Sequence, residues 1–261
     1  MYQFNYVRAA SLDDAVKALA GGEAKALAGG QTLLPTIKQR LAQPSAVIDL
    51  SAIGDLKGIR RDGASLVIGA MTKHAEVAGS ADVKGAIPAL AKLAGCIGDP
   101  AVRHAGTIGG SVANNDPAAD YPAGVLALNA TIVTNKRQIP ADQFFTGLFS
   151  TALEDGELIL RISFPIPEKA GYQKFDQRAS RFALVGAFVA KSAAGVRVAV
   201  TGAGANGVFR ATAIEQALAA NWSADAAKAV KIPATGMLSD LHGSAEYRAA
   251  LVSVMASRAV G

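Results

Sequence analysis

Two segments carry the residue types that could do chemistry. Ala28, Gly29, Gly30, Gln31, Thr32 and Leu33 form the first, and Thr107, Gly109, Gly110, Ser111, Ala113 and Asp120 stand in the second, residues 107–120. Both follow one plan: a bare Gly-Gly step, a hydroxyl or amide side chain, then an apolar run. A Gly-Gly step permits positive φ and lets backbone N–H groups converge on an anion, because no Cβ blocks the approach. Each segment therefore reads as a phosphate cradle, with Thr107, Ser111 and the backbone around Gly109 and Gly110 as donors on the second side. Two cradles imply a ligand with two phosphates, held between two parts of one domain. A carboxylate beside a pyrophosphate would be repelled, so Asp120 is expected to accept a hydrogen bond from a ligand hydroxyl or ring N–H. The alternative for residues 115–120 is an Asx-turn followed by an ordinary helix cap.

A third glycine cluster, Gly202, Gly204 and Gly207, matches G-x-G-x-x-G after a strand over 196–200. A dinucleotide fold needs a helix after such glycines, a second strand, and an acidic residue about 20 positions on. Here Val208, Phe209 and Arg210 look like strand, so a hairpin turn is the expectation.

The elements that must position these residues follow from periodicity and caps. Ser11 with Asp14 reads as the N-cap of an amphipathic helix. A strand over 25–28 leads into Gly29, a helix follows from Leu33 to Leu41 with Pro35 in its first turn, and a strand returns over 46–50. This β-α-β-type unit puts the first glycine loop at a strand-to-helix step, where helix N-termini attract anions. Strand signals over 66–70, a helix over 87–96, an apolar run over 125–133 and a strand over 158–164 come next. Residues 165–171, with two prolines and a glycine, are the best linker. Beyond them a hairpin-like pair over 182–189 and 196–200 precedes alanine-rich helices.

Composition narrows the class. The chain has 261 residues, 51% hydrophobic and 18% charged, as a packed globular protein has. Its 26 basic residues against 21 acidic ones are spread thinly, and aromatics make up 6%, which argues against a nucleic-acid stripe. The single Cys96 excludes an internal disulfide and a cysteine-ligated cluster held by this chain alone, and reads as a small buried hydrophobe near a helix end. His74, His104 and His242 share no metal-ligand spacing, so no metal is expected. The N-terminus lacks signal-peptide character and no long uncharged apolar stretch occurs; the expectation is a cytoplasmic protein without membrane insertion.

Taken together, the two glycine segments, residues 53–56, 68–72 and 99–103, and Ala245, Glu246, Tyr247 and Arg248 resemble the FAD-binding subunits of molybdenum hydroxylases, the xanthine dehydrogenase family. The medium subunits of aerobic carbon monoxide dehydrogenases are the nearest group within it. The resemblance runs nearly end to end. It implies an α+β chain: a two-subdomain FAD-binding fold of the vanillyl-alcohol-oxidase/PCMH-like type over 1–166, split at 52/53, then a small α+β C-terminal domain over 172–261. Carried over by position, residues 28–33 would embrace the FAD pyrophosphate from one side, and the six positions of the second segment would hold it and the ribityl chain from the other. Leu158 and Ile159 would form an apolar wall near the adenine or ring, Lys174 would lie near the flavin, and Phe182 would cover one flavin face. Plain strand core is the alternative for the first two, and a solvated strand lysine for Lys174.

The implied activity is electron transfer in a heterotrimer. A large subunit would hold molybdopterin and oxidise substrate, a small subunit would hold [2Fe-2S] clusters, and FAD here would pass electrons to NAD⁺, a quinone or another acceptor. No acid–base catalytic residue is implied. Two departures stand out. Gln31 replaces the histidine by which related folds tether the flavin covalently, so non-covalent FAD is expected. Phe182 replaces a tyrosine, and Arg181 an acid, where the nearest group covers the flavin; stacking survives without a hydroxyl, but a hydrogen bond does not. A free-standing FAD oxidoreductase and a ligand-binding module that has lost FAD remain the other readings.

Overall fold

The computed structural model describes residues 1–20 and 22–261. Its N-terminal part is a three-stranded parallel sheet. β1 (Asn5–Arg8) leads into α1 (Leu12–Leu19), whose N-cap Ser11 accepts from the Asp14 amide while Ala15 and Leu19 point inward. β2 (Ala24–Leu27) runs into the first glycine segment and α2 (Leu33–Lys38), and β3 (Ala46–Asp49) returns between the other two strands. Val47 and Ile48 are buried on this central strand, which fixes its place. The expected β-α-β unit is present, with α2 ending earlier than 41 because Arg40 takes φ 61.

The middle part is an antiparallel sheet backed by helices. β4 (Ile59–Asp62) pairs with β5 (Ser65–Gly69), and a run of short helices follows: α3 (His74–Gly79), α4 (Ala81–Ala86), α5 (Pro88–Gly95), α6 (Pro100–Ala105), α7 (Ile108–Asn114) and α8 (Tyr121–Ala127). The apolar run over 125–133 is divided at Asn129, whose φ of 52 ends α8 and releases β6 (Thr131–Thr134). β7 (Gln138–Pro140), α9 (Ala141–Phe144) and the small hairpin of β8 (Phe145–Gly147) and β9 (Ser150–Thr151) precede β10 (Ile159–Pro165). β10 lies at the sheet centre, in the order β4-β5-β10-β6-β7. Leu66, Ile68, Ile132 and Ile162 face Leu90, Leu93 and Val125 across the core.

The C-terminal part is a four-stranded antiparallel sheet, β11 (Lys169–Asp176), β12 (Ala183–Ser192), β13 (Gly195–Thr201) and β14 (Phe209–Arg210), covered by α10 (Thr212–Ala220), α11 (Ala224–Ala229) and α12 (Ala245–Val260). Alternation along β12 serves two cores: Phe188 and Ala190 pack toward α5 and α8, Ala187 and Val189 toward α12. The G-x-G-x-x-G stretch joins the antiparallel pair β13 and β14 as a loop, not a helix N-terminus. The linker expected over 165–171 is shorter than composition implied, because β11 already begins at Lys169. Gly171 is a strand residue: a Cβ there would lie 1.7 Å from the Ala259 carbonyl oxygen, so only glycine admits α12 so closely.

Candidate functional site

The two glycine segments face each other across one cavity of about 650 Å³, within the range of about 300–1,000 Å³ usual for small-molecule sites. Ala28, Gly29, Gly30, Gln31, Thr32 and Leu33 line one side, where β2 turns into α2. Thr107, Gly109, Gly110, Ser111, Ala113 and Asp120 line the other, along α7 and into α8. Leu158 and Ile159 close the floor at the start of β10, and Phe182 reaches in from the β11–β12 connection.

The glycines have different reasons for being glycine. Gly30 has φ 70, the left-handed region that side chains avoid. A Cβ on Gly29 would stand 2.4 Å from the Ala105 carbonyl oxygen and 2.5 Å from the Gly106 Cα, so this glycine lets the two halves of the cavity touch main chain to main chain. Gly109 packs in the same manner on Ala70, where an added Cβ would stand 2.5 Å from the Ala70 Cβ. On the first loop the amides of Gly30, Gln31 and Thr32 make no hydrogen bond among the described residues. They are free to converge on an anion. Gln31 folds its side chain onto the Gly29 carbonyl at 3.2 Å.

The second segment departs from expectation in its donors. The Ile108 amide donates to the Thr72 carbonyl, the Gly109 amide to the Ala70 carbonyl, and the Gly110 amide to Thr107 Oγ1 at 3.2 Å. The first two hold α7 against the segment that follows β5 and the third closes the N-cap of α7, so the amides of Gly109 and Gly110 are already spent. Thr107 Oγ1 accepts in that bond and keeps its proton to give; the Ser111 hydroxyl has no partner among the described residues. The groups left free to donate on this side are therefore hydroxyls.

Asp120 is 4% exposed, and both of its partners meet one oxygen: the Tyr172 hydroxyl donates to Oδ1 at 2.5 Å and Lys174 Nζ lies 2.9 Å from it. Burial pushes its carboxyl above the usual carboxylate range, with Lys174 and Tyr172 pulling the other way. The Asx-turn exists one turn earlier, where Asp116 Oδ1 accepts from the Ala118 amide. Asp120 itself caps nothing with its side chain. Behind it the C-terminal sheet grips the same segment: Thr201 Oγ1 bonds to the Pro117 and Ala119 carbonyls, and the Gly202 amide to Pro117.

Lys174 is the one nominated residue that does not line the cavity. It is also no solvated surface lysine, since its side chain is 5% exposed. Its remaining two protons go to the carbonyls of Cys96, at 2.7 Å, and Arg181, at 2.8 Å. Phe182 is 48% exposed at the cavity edge beside Ser180 and Arg181.

Sequence reasoning missed His74. It lines the cavity at the start of α3, is 4% exposed, and packs against Tyr121 with ring centroids 5.3 Å apart. Burial, then the nearby Arg103 charge, brings its pKa down to about 4, so the imidazole is neutral near pH 7. Its Nδ1 and the Tyr121 hydroxyl are buried without hydrogen-bond partners among the described residues. A histidine two residues past Thr72 was the available signal, but its burial depends on the Gly106 backbone, against which its Nε2 lies. Glu157, also in the wall, is held by Arg137 and Thr134. Among the described residues no group of three or more histidine, cysteine or acidic side chains could hold a metal, and no helix is long and apolar enough to cross a membrane.

The cavity fits a dinucleotide with two phosphates: free amides at a main-chain crossing no Cβ could enter, hydroxyl donors opposite, and an apolar floor. Comparison with known proteins agrees. Residues 2–167 match the family described as FAD binding domain in molybdopterin dehydrogenase. The carbon monoxide dehydrogenase medium chain of Hydrogenophaga pseudoflava is 36% identical over 99% of this chain and 96% of its own length. A solved carbon monoxide dehydrogenase from that organism superposes with TM-score 0.87 at 37% identity, over 99% of this chain and 96% of the other. Quinoline 2-oxidoreductase from Pseudomonas putida 86 gives TM-score 0.88 at 30% identity, over 99% and 96%. The chain thus belongs to the FAD-binding domain family of molybdopterin dehydrogenases, as an FAD-binding oxidoreductase subunit of the molybdenum hydroxylase class.

Proposed function

We propose that this chain takes electrons from an iron–sulfur subunit and passes them to NAD⁺, a quinone or another acceptor, while a molybdopterin-bearing large subunit oxidises the substrate. The observation that carries this reading is the single cavity into which both glycine segments open, in a chain whose described residues offer no metal or cluster ligand set. Bound FAD supplies the redox chemistry, and the protein supplies position and electrostatics. The amides of residues 30–32 and the hydroxyls of Thr107 and Ser111 hold the pyrophosphate. Gly29 and Gly109 keep the two halves in register, Ala28, Leu33 and Ala113 shape the walls, and Leu158 and Ile159 exclude water from the floor. Asp120 accepts from a ribityl hydroxyl, and Phe182 covers one flavin face. Gln31 offers no imidazole for a covalent link, so the cofactor is held non-covalently. In this reading residues 1–166, as subdomains 1–52 and 53–166, carry the cofactor, and 172–261 brace it.

The test is reconstitution. The purified chain titrated with FAD should turn yellow with one flavin per chain, and that flavin should be reduced only when a reduced iron–sulfur partner is added. No flavin binding overturns the site; reduction by a small organic substrate without partners overturns the subunit role.

A further inference from the structure

An ammonium has three protons to give, and Lys174 gives each to a different part of the molecule. Asp120 Oδ1 lies at the start of α8, the Cys96 carbonyl belongs to the C-cap residue of α5, and the Arg181 carbonyl belongs to the turn between β11 and β12. None is left for a ligand. We infer that Lys174 is a positioning residue whose bond to the Arg181 carbonyl fixes the 177–182 turn as a wall of the flavin cavity, in register with Asp120.

The turn needs such an anchor. Arg181 has φ 61, a conformation L side chains rarely adopt, and Arg178, Arg181 and Phe182 are exposed. Its other hydrogen bonds are internal: the Gln177 amide to the Phe182 carbonyl, the Arg181 amide to Gln177, the Phe182 amide to Ser180 Oγ. Among the described residues, the bond from Lys174 is the one hydrogen bond that joins 178–182 to a residue outside the turn. Ser180, Arg181 and Phe182 all line the cavity, so the lysine acts on the cofactor space through a backbone oxygen and a carboxylate it holds from behind. The functional meaning rests on the FAD reading above; the conformational claim does not.

The experiment uses the full chain without FAD. Trypsin cleavage after Arg178 and Arg181 is followed by mass spectrometry, with cleavage after the exposed Arg60 and Arg61 as internal reference. Lys174→Met should raise the turn's cleavage rate roughly ten-fold or more, since proteolysis tracks the population of the open form, while the reference sites stay unchanged. Asp120→Asn, which leaves both carbonyl bonds, should behave as wild type. If Lys174→Met fails to fold, the double variant Asp120→Asn/Lys174→Met, with neither charge left unpaired, gives the same readout. In reconstituted protein, iodide should quench the flavin of the lysine variant several-fold more strongly than that of wild type. Equal turn cleavage in wild type and both lysine variants overturns the inference, whatever FAD does. Failure of the wild-type chain to bind FAD overturns the cofactor reading and leaves the cleavage result to decide the turn.

Discussion

Asp120 and Lys174 form an ion pair of 2.9 Å in which each side chain is 5% exposed. Pairs of this kind gain little over apolar packing but are costly to break from one side. Asp120→Ala should therefore destabilise the FAD-free chain by about 3 kcal/mol, at the low end for a broken buried pair because Lys174 keeps two carbonyl acceptors. Asp120→Asn, which retains an acceptor for Tyr172, should lose less. Urea unfolding measures both, and an alanine variant as stable as wild type would remove the pair from any structural role.

His74 makes the fold acid-sensitive in a range where few groups titrate. Its pKa is about 4 in the fold against 6.5 for a free histidine, so the unfolded chain binds the proton more tightly. The stability this represents is complete above about pH 6.5 and is lost as pH falls toward 4, to a total of about 3 kcal/mol. His74→Phe keeps a ring against Tyr121 and has nothing to titrate. Unfolding free energies of the two proteins should converge across that window, and parallel pH curves would refute the assignment.

Glu157 governs a second, lower window. Burial works to raise its pKa, but hydrogen bonds from Arg137, Thr134 and the Glu154 amide, with the Arg137 charge, outweigh it and bring the value to about 2. A depressed carboxyl stabilises above about pH 4.5, and that stability fades as pH falls toward 2. Arg137 is 44% exposed, so after solvent screening we expect about 2 kcal/mol. Glu157→Gln should unfold with a shallower acid limb below pH 4.5, as circular dichroism would record.

Gly29 tests the main-chain crossing. Gly29→Ala forces its Cβ onto the Ala105 carbonyl and Gly106, so FAD affinity should drop at least ten-fold, about 1.4 kcal/mol, in a fluorescence titration. Gly85→Ala is the control. It lies inside α4 with open space around it and should stabilise the chain by about 0.5–1 kcal/mol with flavin binding intact.

What could be read from the sequence was whatever local chemistry decides. Ser11 announces α1 because its hydroxyl needs only the amide three residues on, and Gly30 announces a turn because only glycine takes its φ cheaply. The exposed β1, with no alternating pattern, gave no such signal. Nor could sequence tell that the Gly109 amide is spent on Ala70, since that bond joins residues brought together by β5 and α7. Lys174 shows the limit most sharply. On an outer strand a lysine reads as solvated, and only the fold supplies Asp120, Cys96 and Arg181 around its ammonium. Arg248, in the motif at 245–248, is likewise explained only in three dimensions, where it bonds the Leu184 and Gly202 carbonyls and Asp240.

The bonds from Thr201 and Gly202 to Pro117 and Ala119 bear on how this protein can be cut or recombined. The family match stops at residue 167, yet the segment carrying Asp120 is braced from residues 172–202, and three residues of the cavity rim come from 180–182. A fragment ending at the match would keep both glycine loops and lose the scaffold that sets the second. For grafting or gene fusion the indivisible unit is thus longer than the recognisable domain, and a chimera joined near residue 167 should inherit the C-terminal sheet from the same parent as its loops.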